Sequence, residues 1–217
     1  MIPTPSLSHL TKHDFRSVYE PAEDSFILLD ALEADAETLT SSLANKAPIC
    51  VEIGSGSGIV TTFISQILGP TCASYLAIDL NAHANTCTRA TGIANGVQIE
   101  PVRTSLLSGL RSRLNGQVDV LLFNPPYVPT EEEEEMMAQG KGGIEGSWAG
   151  GETGTKLVDE LIDGGIIFNI LAQKGRFYLV AIKQNNPVSL VKRLLAQGLD
   201  ADVSHQPSQK HVFYLRT

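Results

Sequence analysis

Residues 48–68 constrain this chain more than any other stretch. Pro48 to Ile53 is short, apolar and rich in isoleucine and valine. Gly54-Ser55-Gly56-Ser57-Gly58 follows directly, and an apolar-periodic segment then runs from Ile59 to Leu68 before Gly69-Pro70 stops it. The pattern predicts a buried strand, a turn whose backbone is free to approach a ligand closely, and a helix. It then repeats: a strand over Tyr75–Asp79, a helix over Ala82–Asn95, a strand over Val97–Val102, a short helix over Leu106–Leu114 and a strand over Val118–Phe123.

On either side the signals are less regular. Residues 1–18 carry Pro3 and Pro5 and read as a loose arm or lid. Apolar spacing predicts a helix from Pro21 to Glu37, followed by a polar link from Thr40 to Lys46. After a long loop from Val128 to Gly154 the pattern predicts a helix over Thr155–Leu171, a strand over Arg176–Lys183 and a helix over Val188–Gln197. Short strands at Ala201–His205 and His211–Arg216 close the chain. Strands alternating with helices predict an α/β fold, a mostly parallel sheet with helices on both faces. The connection containing Pro207 is too short for a parallel crossover, so the final pair is expected to be antiparallel. No internal repeat interrupts the pattern, which gives an arm over 1–18 and one domain over 19–217.

Charge narrows the partners. The formal net charge is −8, which argues against naked nucleic acid, and aromatics at 6% argue against a base-stacking platform. No apolar stretch approaches the ~18 residues of a membrane span, and Met1–Leu10 lacks the basic-then-apolar order of a secretory leader. Cys50, Cys72 and Cys87 are odd in number and far apart, so they read as reduced, buried packing residues of a cytosolic or nuclear protein. His9, His13, His83, His205 and His211 have no metal-binding spacing, and no metal is expected.

Three strand ends carry the chemistry. In a doubly wound sheet, ligands bind beyond the carboxyl ends of the strands. The glycines fall as GxGxG, where a dinucleotide fingerprint would be GxGxxG, and Glu52 stands two residues before Gly54. A carboxylate there repels a pyrophosphate and suits a cation, such as the amino-acid end of S-adenosylmethionine (SAM). Asp79 ends the second strand, where its carboxylate can accept bonds from both hydroxyls of a ribose, although a helix-capping role also fits. Asn124-Pro125-Pro126-Tyr127 follows the fourth strand. Two prolines remove two donors and fix two φ angles, so the carbonyls of Asn124 and Pro125 and the Asn124 side chain remain as acceptors for a planar NH₂ group. Tyr127 can pack on that group or on a sulfonium.

Together Glu52-Ile-Gly-Ser-Gly-Ser-Gly58, Asp79 and Asn124-Pro-Pro-Tyr127 resemble the HemK-type class I SAM-dependent methyltransferases. Tyr19-Glu-Pro-Ala-Glu-Asp-Ser25 and Trp148-Ala-Gly-Gly151 are similar to the eukaryotic and archaeal branch that methylates the glutamine of the GGQ motif in a class 1 translation release factor. The resemblance spans about residues 15–217. It implies a single Rossmann-like domain with a seven-stranded, mostly parallel sheet whose last strand is antiparallel. For SAM it implies Glu52, Gly54 and Gly56 at the methionine end, Asp79 at the ribose, Ser25 and Asn124 nearby, and the Ser105-Leu106 pair at the adenine. Asn124 and Tyr127 also bind substrate, and Asn124, Pro125, Pro126 and Tyr127 form the catalytic turn.

The resemblance further implies a heterodimer with a small zinc-binding activator subunit that covers an apolar sheet edge, with Tyr75–Ile78 as the candidate contact. Ser105 departs from the family pattern, which has Asp there. Other readings remain at this point: a methyltransferase for a histone lysine or a nucleic-acid base, a non-catalytic SAM-binding subunit, or, against the glycine spacing, a nicotinamide dehydrogenase. Glu131 to Glu135 reads as a solvated loop or an attractor for a basic protein substrate, and Trp148 as a loop anchor or part of the substrate mouth.

Overall fold

The computed structural model describes residues 1–126, 155–204 and 210–216, with 202–204 and 210–216 described by backbone alone. In chain order the elements are α1 (Glu23–Ala34), α2 (Ala36–Leu43), β1 (Ile49–Ile53), α3 (Ile59–Leu68), β2 (Ser74–Asp79), α4 (Ala82–Ala94), β3 (Ile99–Arg103), α5 (Arg111–Leu114) and β4 (Val118–Phe123). There follow α6 (Lys156–Asp163), α7 (Ile166–Ile170), β5 (Leu171–Ile182), α8 (Pro187–Ala196) and the extended segments β6 (Asp200–Ser204) and β7 (Lys210–Arg216). Strands β3-β2-β1-β4-β5 lie side by side in that order, and all four pairings are parallel.

The period-two rule divides the strand side chains between two cores. Val120 and Leu122 of β4, with Tyr178 and Val180 of β5, pack with α1, α2 and α3. Leu121 and Phe123, with Phe177 and Leu179, pack with α5, α6, α7 and α8. Every one of these strand residues is buried. Both faces are covered, so the central strands read as near-continuous apolar runs, as parallel strands should.

Several elements differ from expectation. The helix expected over Pro21–Glu37 is two helices that meet at Asp35, whose carboxylate accepts a 2.8 Å bond from the Tyr178 hydroxyl on β5. That long-range bond turns the chain, and α2 continues through part of the expected polar link because Leu39 and Leu43 have core to bury in. The helix expected over Thr155–Leu171 breaks at Gly164-Gly165, where Gly165 takes φ +61°. Leu106, at φ +48°, keeps the next predicted helix from forming before Arg111.

The N-terminal arm is not loose. The Ile2 amide donates to Glu33 Oε1, and Ser6 and Asn95 exchange two bonds of 2.8 and 2.9 Å. Val18 is buried with Ala84 and Cys87. Cys72 is exposed, unlike the buried Cys50 and Cys87, because it falls in the turn between α3 and β2. The expected partner contact at Tyr75–Ile78 is also corrected. Strand β2 is paired on both sides, and Tyr75, Ala77 and Ile78 are buried, so this strand has no edge to offer. The edge belongs to β3, whose Pro101 suits a position where no ladder donor is needed. Among the described residues no helix is long and apolar enough to cross a membrane.

Gly58, at the start of α3, lies close against Thr88 of α4. Its φ is +80°, and a Cβ there would lie 2.7 Å from Thr88 Cα. Gly58→Ala is therefore expected to destabilise the protein by about 2–4 kcal/mol, combining left-handed strain with overpacking. Urea unfolding of both proteins measures this, and an unchanged midpoint would show that the turn does not rest on α4 as described.

Candidate functional site

Sheet register assembles the site. Ile53 of β1 aligns with Ile78 of β2 on one side and with Phe123 of β4 on the other. One residue beyond each lies Gly54, Asp79 and Asn124. Adjacent strands are about 4.8 Å apart, so these three are neighbours without further folding. The strand order reverses between β1 and β4, because the connections from β1 lead to one side of the sheet and those from β4 to the other. That crevice is where doubly wound sheets take their ligands.

The glycine turn curls beneath Asp79. Gly54, Gly56 and Gly58 all have positive φ, the region that favours glycine. Gly54 N–H donates to Ile78 O at 2.7 Å, and Gly56 N–H to Asp79 Oδ2 at 3.0 Å. Asp79 Oδ1 accepts from the Asn81 amide at 2.8 Å. The Asp79 carboxylate is thus held rigidly, with lone pairs left for ligand hydroxyls. Asn81 caps α4 by accepting from the His83 amide at 2.9 Å, so the capping role considered for Asp79 falls to Asn81. A Cβ on Gly54 would lie 3.9 Å from the main-chain oxygen of Asn124, which places that carbonyl beside the turn.

Glu52 faces α3 rather than open space. Its Oε2 accepts from both the amide and the hydroxyl of Thr61, in the first turn of α3, where amides have no helical partner. Gly58 at the N-cap supplies no side chain, so Glu52 does the capping. Burial pushes its carboxyl up to about 8, with a smaller contribution from Asp79, while the bonds from Thr61 pull the other way. Burial likewise raises Asp79, offset in part by the Gly56 and Asn81 amides. Two desolvated acids beside one crevice favour a cation there.

Asn124 is oriented by a residue that the motif reading passed over. Its Nδ2 donates to Asp24 Oδ2 at 2.8 Å, and Asp24 Oδ1 accepts from the Tyr19 hydroxyl at 3.0 Å. Asp24 is buried in the first turn of α1. An ionised carboxylate only accepts, so the NH₂ of Asn124 must face it and the oxygen must face away. That oxygen, Oδ1, is buried and has no partner among the described residues. The cue in the sequence was Tyr19-Glu-Pro-Ala-Glu-Asp-Ser25, but only folding brings residue 24 to residue 124.

The remaining candidates divide. Ser25 is buried beside Asp24 on α1. Leu106 is buried, whereas Ser105 is exposed on the turn after β3, two residues past Arg103, the register partner of Asp79. Pro125 is buried and Pro126 half-buried, continuing from Asn124. Tyr127, Glu131–Glu135 and Trp148–Gly151 lie outside the described residues. The crevice thus joins a left-handed glycine turn, the fixed carboxylate of Asp79 and the buried carboxyl of Glu52.

The methyltransferase small domain family matches residues 28–140. The chain is 42% identical over 217 residues to Methyltransferase HEMK2 of Mus musculus, covering 99% of this chain and 96% of that protein. It is 39% identical over 207 residues to the eRF1 methyltransferase catalytic subunit mtq2 of Schizosaccharomyces pombe, covering 91% and 87%. Among solved structures it resembles one from the E. cuniculi Mtq2–Trm112 complex, described as responsible for methylation of the eRF1 translation termination factor. There the TM-score is 0.62 at 24% identity, covering 92% of this chain and 97% of the other, a likeness of fold.

Glu52 makes ligand-free stability depend on pH. Its carboxyl holds a proton to about pH 8 when folded and to about 4.5 when unfolded, so folding takes up a proton between those values. Its stabilising contribution is complete below about pH 4.5 and is lost as the pH rises through 8. Glu52→Gln, which has no proton to lose, is expected to gain on the parent by a few kcal/mol, as an order of magnitude, between pH 5 and pH 8. Urea unfolding across that range measures it, and a constant difference between the two proteins would contradict the assignment.

Proposed function

Since the chain belongs to the HemK-type class I methyltransferases, we propose that it transfers a methyl group from SAM to the side-chain amide nitrogen (N5) of the GGQ glutamine in a class 1 translation release factor. The observation that carries this reading is Asn124 Oδ1, buried and without a partner among the described residues while its Nδ2 faces Asp24. A buried acceptor without a donor costs about 1–3 kcal/mol, and a substrate N–H relieves it. An amide NH₂ has two hydrogens. Asn124 Oδ1 takes one and the Pro125 carbonyl the other, leaving the nitrogen's π face toward the donor.

Bound SAM supplies an electrophilic methyl on a sulfonium. Everything else falls to this chain. Gly54 and Gly56 admit the methionine end, the cationic group there favours the ionised form of the buried Glu52 carboxyl, and Asp79 accepts from the ribose hydroxyls. Ser25 borders the cofactor from α1, and Leu106 packs on the adenine, with Ser105 at its amino group. Tyr127, outside the described residues, is assigned to the substrate amide by the family resemblance alone. An amide nitrogen is a poor nucleophile because its lone pair is delocalised, so alignment by two fixed acceptors is the main contribution, worth several kcal/mol. No strong base is needed, since the proton leaves to water after transfer.

The same reading extends the fold and its partners. The sheet is taken as seven-stranded. Its support is the backbone register of Arg176–Ile182 antiparallel to Lys210–Arg216, and of Asp200–Ser204 antiparallel to Val212–Arg216. The whole of 19–217 is then one methyltransferase domain with the arm strapped to it. A small activator subunit joins as a heterodimer, supported by the complexed relative, and β3 is one of the two sheet edges, with β6, that it can cover. The cytoplasm is the compartment proposed, where a translation release factor acts and thiols stay reduced, with the nucleus as a second compartment of the same redox state.

Two measurements test this. With the activator and SAM present, mass spectrometry is expected to find one methyl on the release-factor glutamine, absent when that glutamine is changed. A methyl on a lysine instead would overturn the substrate. Asn124→Ala is expected to reduce transfer at least ~100-fold while SAM affinity largely survives, and full activity would remove Asn124 from its role. Ser105→Asp replaces a neutral hydroxyl by a charged acceptor and is expected to tighten SAM by about 1 kcal/mol, roughly fivefold. Calorimetry showing no gain would reject Ser105 as the adenine contact.

A further inference from the structure

Outside that crevice, folding unites three side chains that the sequence keeps apart. Asp14 lies in the arm, and His83 and Cys87 stand one turn apart on α4, on the same face. One ligand atom from each, a carboxylate oxygen, an imidazole nitrogen and the thiol sulfur, lies within 4.8 Å of the other two. Asp14 is prepared for a role at Oδ1. Its Oδ2 accepts from both the amide (2.8 Å) and the hydroxyl (2.7 Å) of Thr11, which turns Oδ1 toward His83 Nε2 at 3.0 Å. Cys87 is buried and free of any disulfide, at the inner side of the cluster, while Asp14 and His83 are half-buried at its outer side. The ring of His13 stands edge-on to that of His83, with centroids 6.5 Å apart.

We propose that Asp14, His83 and Cys87 form a binding site for a borderline transition-metal ion, zinc above all, that clasps the N-terminal arm to α4. The donor set selects the metal. A thiolate, an imidazole and a carboxylate suit zinc or cobalt(II) in four-coordinate geometry with one position left to water, whereas magnesium and calcium want oxygen alone. The spacing is that of a site awaiting modest contraction: metal–ligand bonds of about 2.0–2.3 Å place ligand atoms some 3–4 Å from each other. The Thr11 bonds to Asp14 supply the outer support that orients a metal-binding carboxylate. Binding exchanges the Asp14–His83 hydrogen bond for two metal bonds: the neutral imidazole shifts its proton from Nε2 to Nδ1 by exchange with solvent, freeing the Nε2 lone pair, and the thiol proton of Cys87 leaves to solvent, with no change of oxidation state. The clasp fixes the segment whose Ser17 carbonyl accepts from Asn81 Nδ2 at 2.6 Å, just after Asp79.

The test uses the 217-residue chain without the activator, stripped of metal and kept reduced, with cobalt(II) as the probe. One equivalent of cobalt is expected to give a near-ultraviolet thiolate-to-metal band that zinc then abolishes. Cys87→Ser should remove the band, and Cys72→Ser should leave it. Asp14→Asn alters only the outer turn of the arm, so it retains the fold and is expected to weaken cobalt at least ~10-fold. Zinc is expected to raise the melting temperature of the parent but not of His83→Ala. Absence of a stoichiometric band, its survival in Cys87→Ser, or unchanged affinity in Asp14→Asn would each overturn the proposal, whatever the outcome of the methylation assays.

Discussion

Parallel pairing of β1 with β2 on one side and β4 on the other is the constraint on which the site depends. Because Ile53, Ile78 and Phe123 are in register, the residues that follow them emerge at the same height. A slip of one residue in either pairing would rotate a whole strand, exchanging its two cores. The apolar side chains on both faces therefore guard the register, and the register in turn sets Gly54, Asp79 and Asn124 side by side. The alignment of these three strand ends is a by-product of hydrophobic burial, even though Gly54, Asp79 and Asn124 belong to neither core.

Around that line the polar groups are held by bonds made before any ligand arrives. Glu52 caps α3, Asp79 is tied to the Gly56 and Asn81 amides, and Asn124 is turned by Asp24. Such bonds restrict each side chain to one rotamer, so little is lost in ordering them when ligand binds. They also explain why the Asn124 atom without a partner among the described residues is an acceptor: Asp24 takes the donor end and leaves the oxygen turned away from it. The buried acids carry a desolvation penalty that a positively charged ligand relieves, which joins affinity for a sulfonium compound to the stability of the glycine turn.

How legible was this in the chain? The glycine turn and the helix Ile59–Leu68 were placed to the residue, as was β4, because apolar runs bounded by glycine and proline leave few alternatives. The failures share a cause. Asp35 ends a helix through a bond to Tyr178, 143 residues away, and α2 continues where a polar link was expected because core was waiting for Leu39 and Leu43. The arm reads as loose since its anchors, Glu33, Asn95 and His83, are remote in sequence. Tyr75–Ile78 reads as an exposed edge until the strand order puts β3 outside it.

Residue types and spacing along the chain were enough to determine the α/β class, the glycine turn, the acid at the end of β2 and the Asn-Pro-Pro turn, since each is a local pattern with a local physical cause. Tertiary structure alone decided that Asp24 orients Asn124, that Glu52 caps α3, and that Asp14 reaches His83 and Cys87. These are contacts between groups up to 100 residues apart. Their geometry comes from how two cores pack on one sheet, and no short window of sequence encodes that.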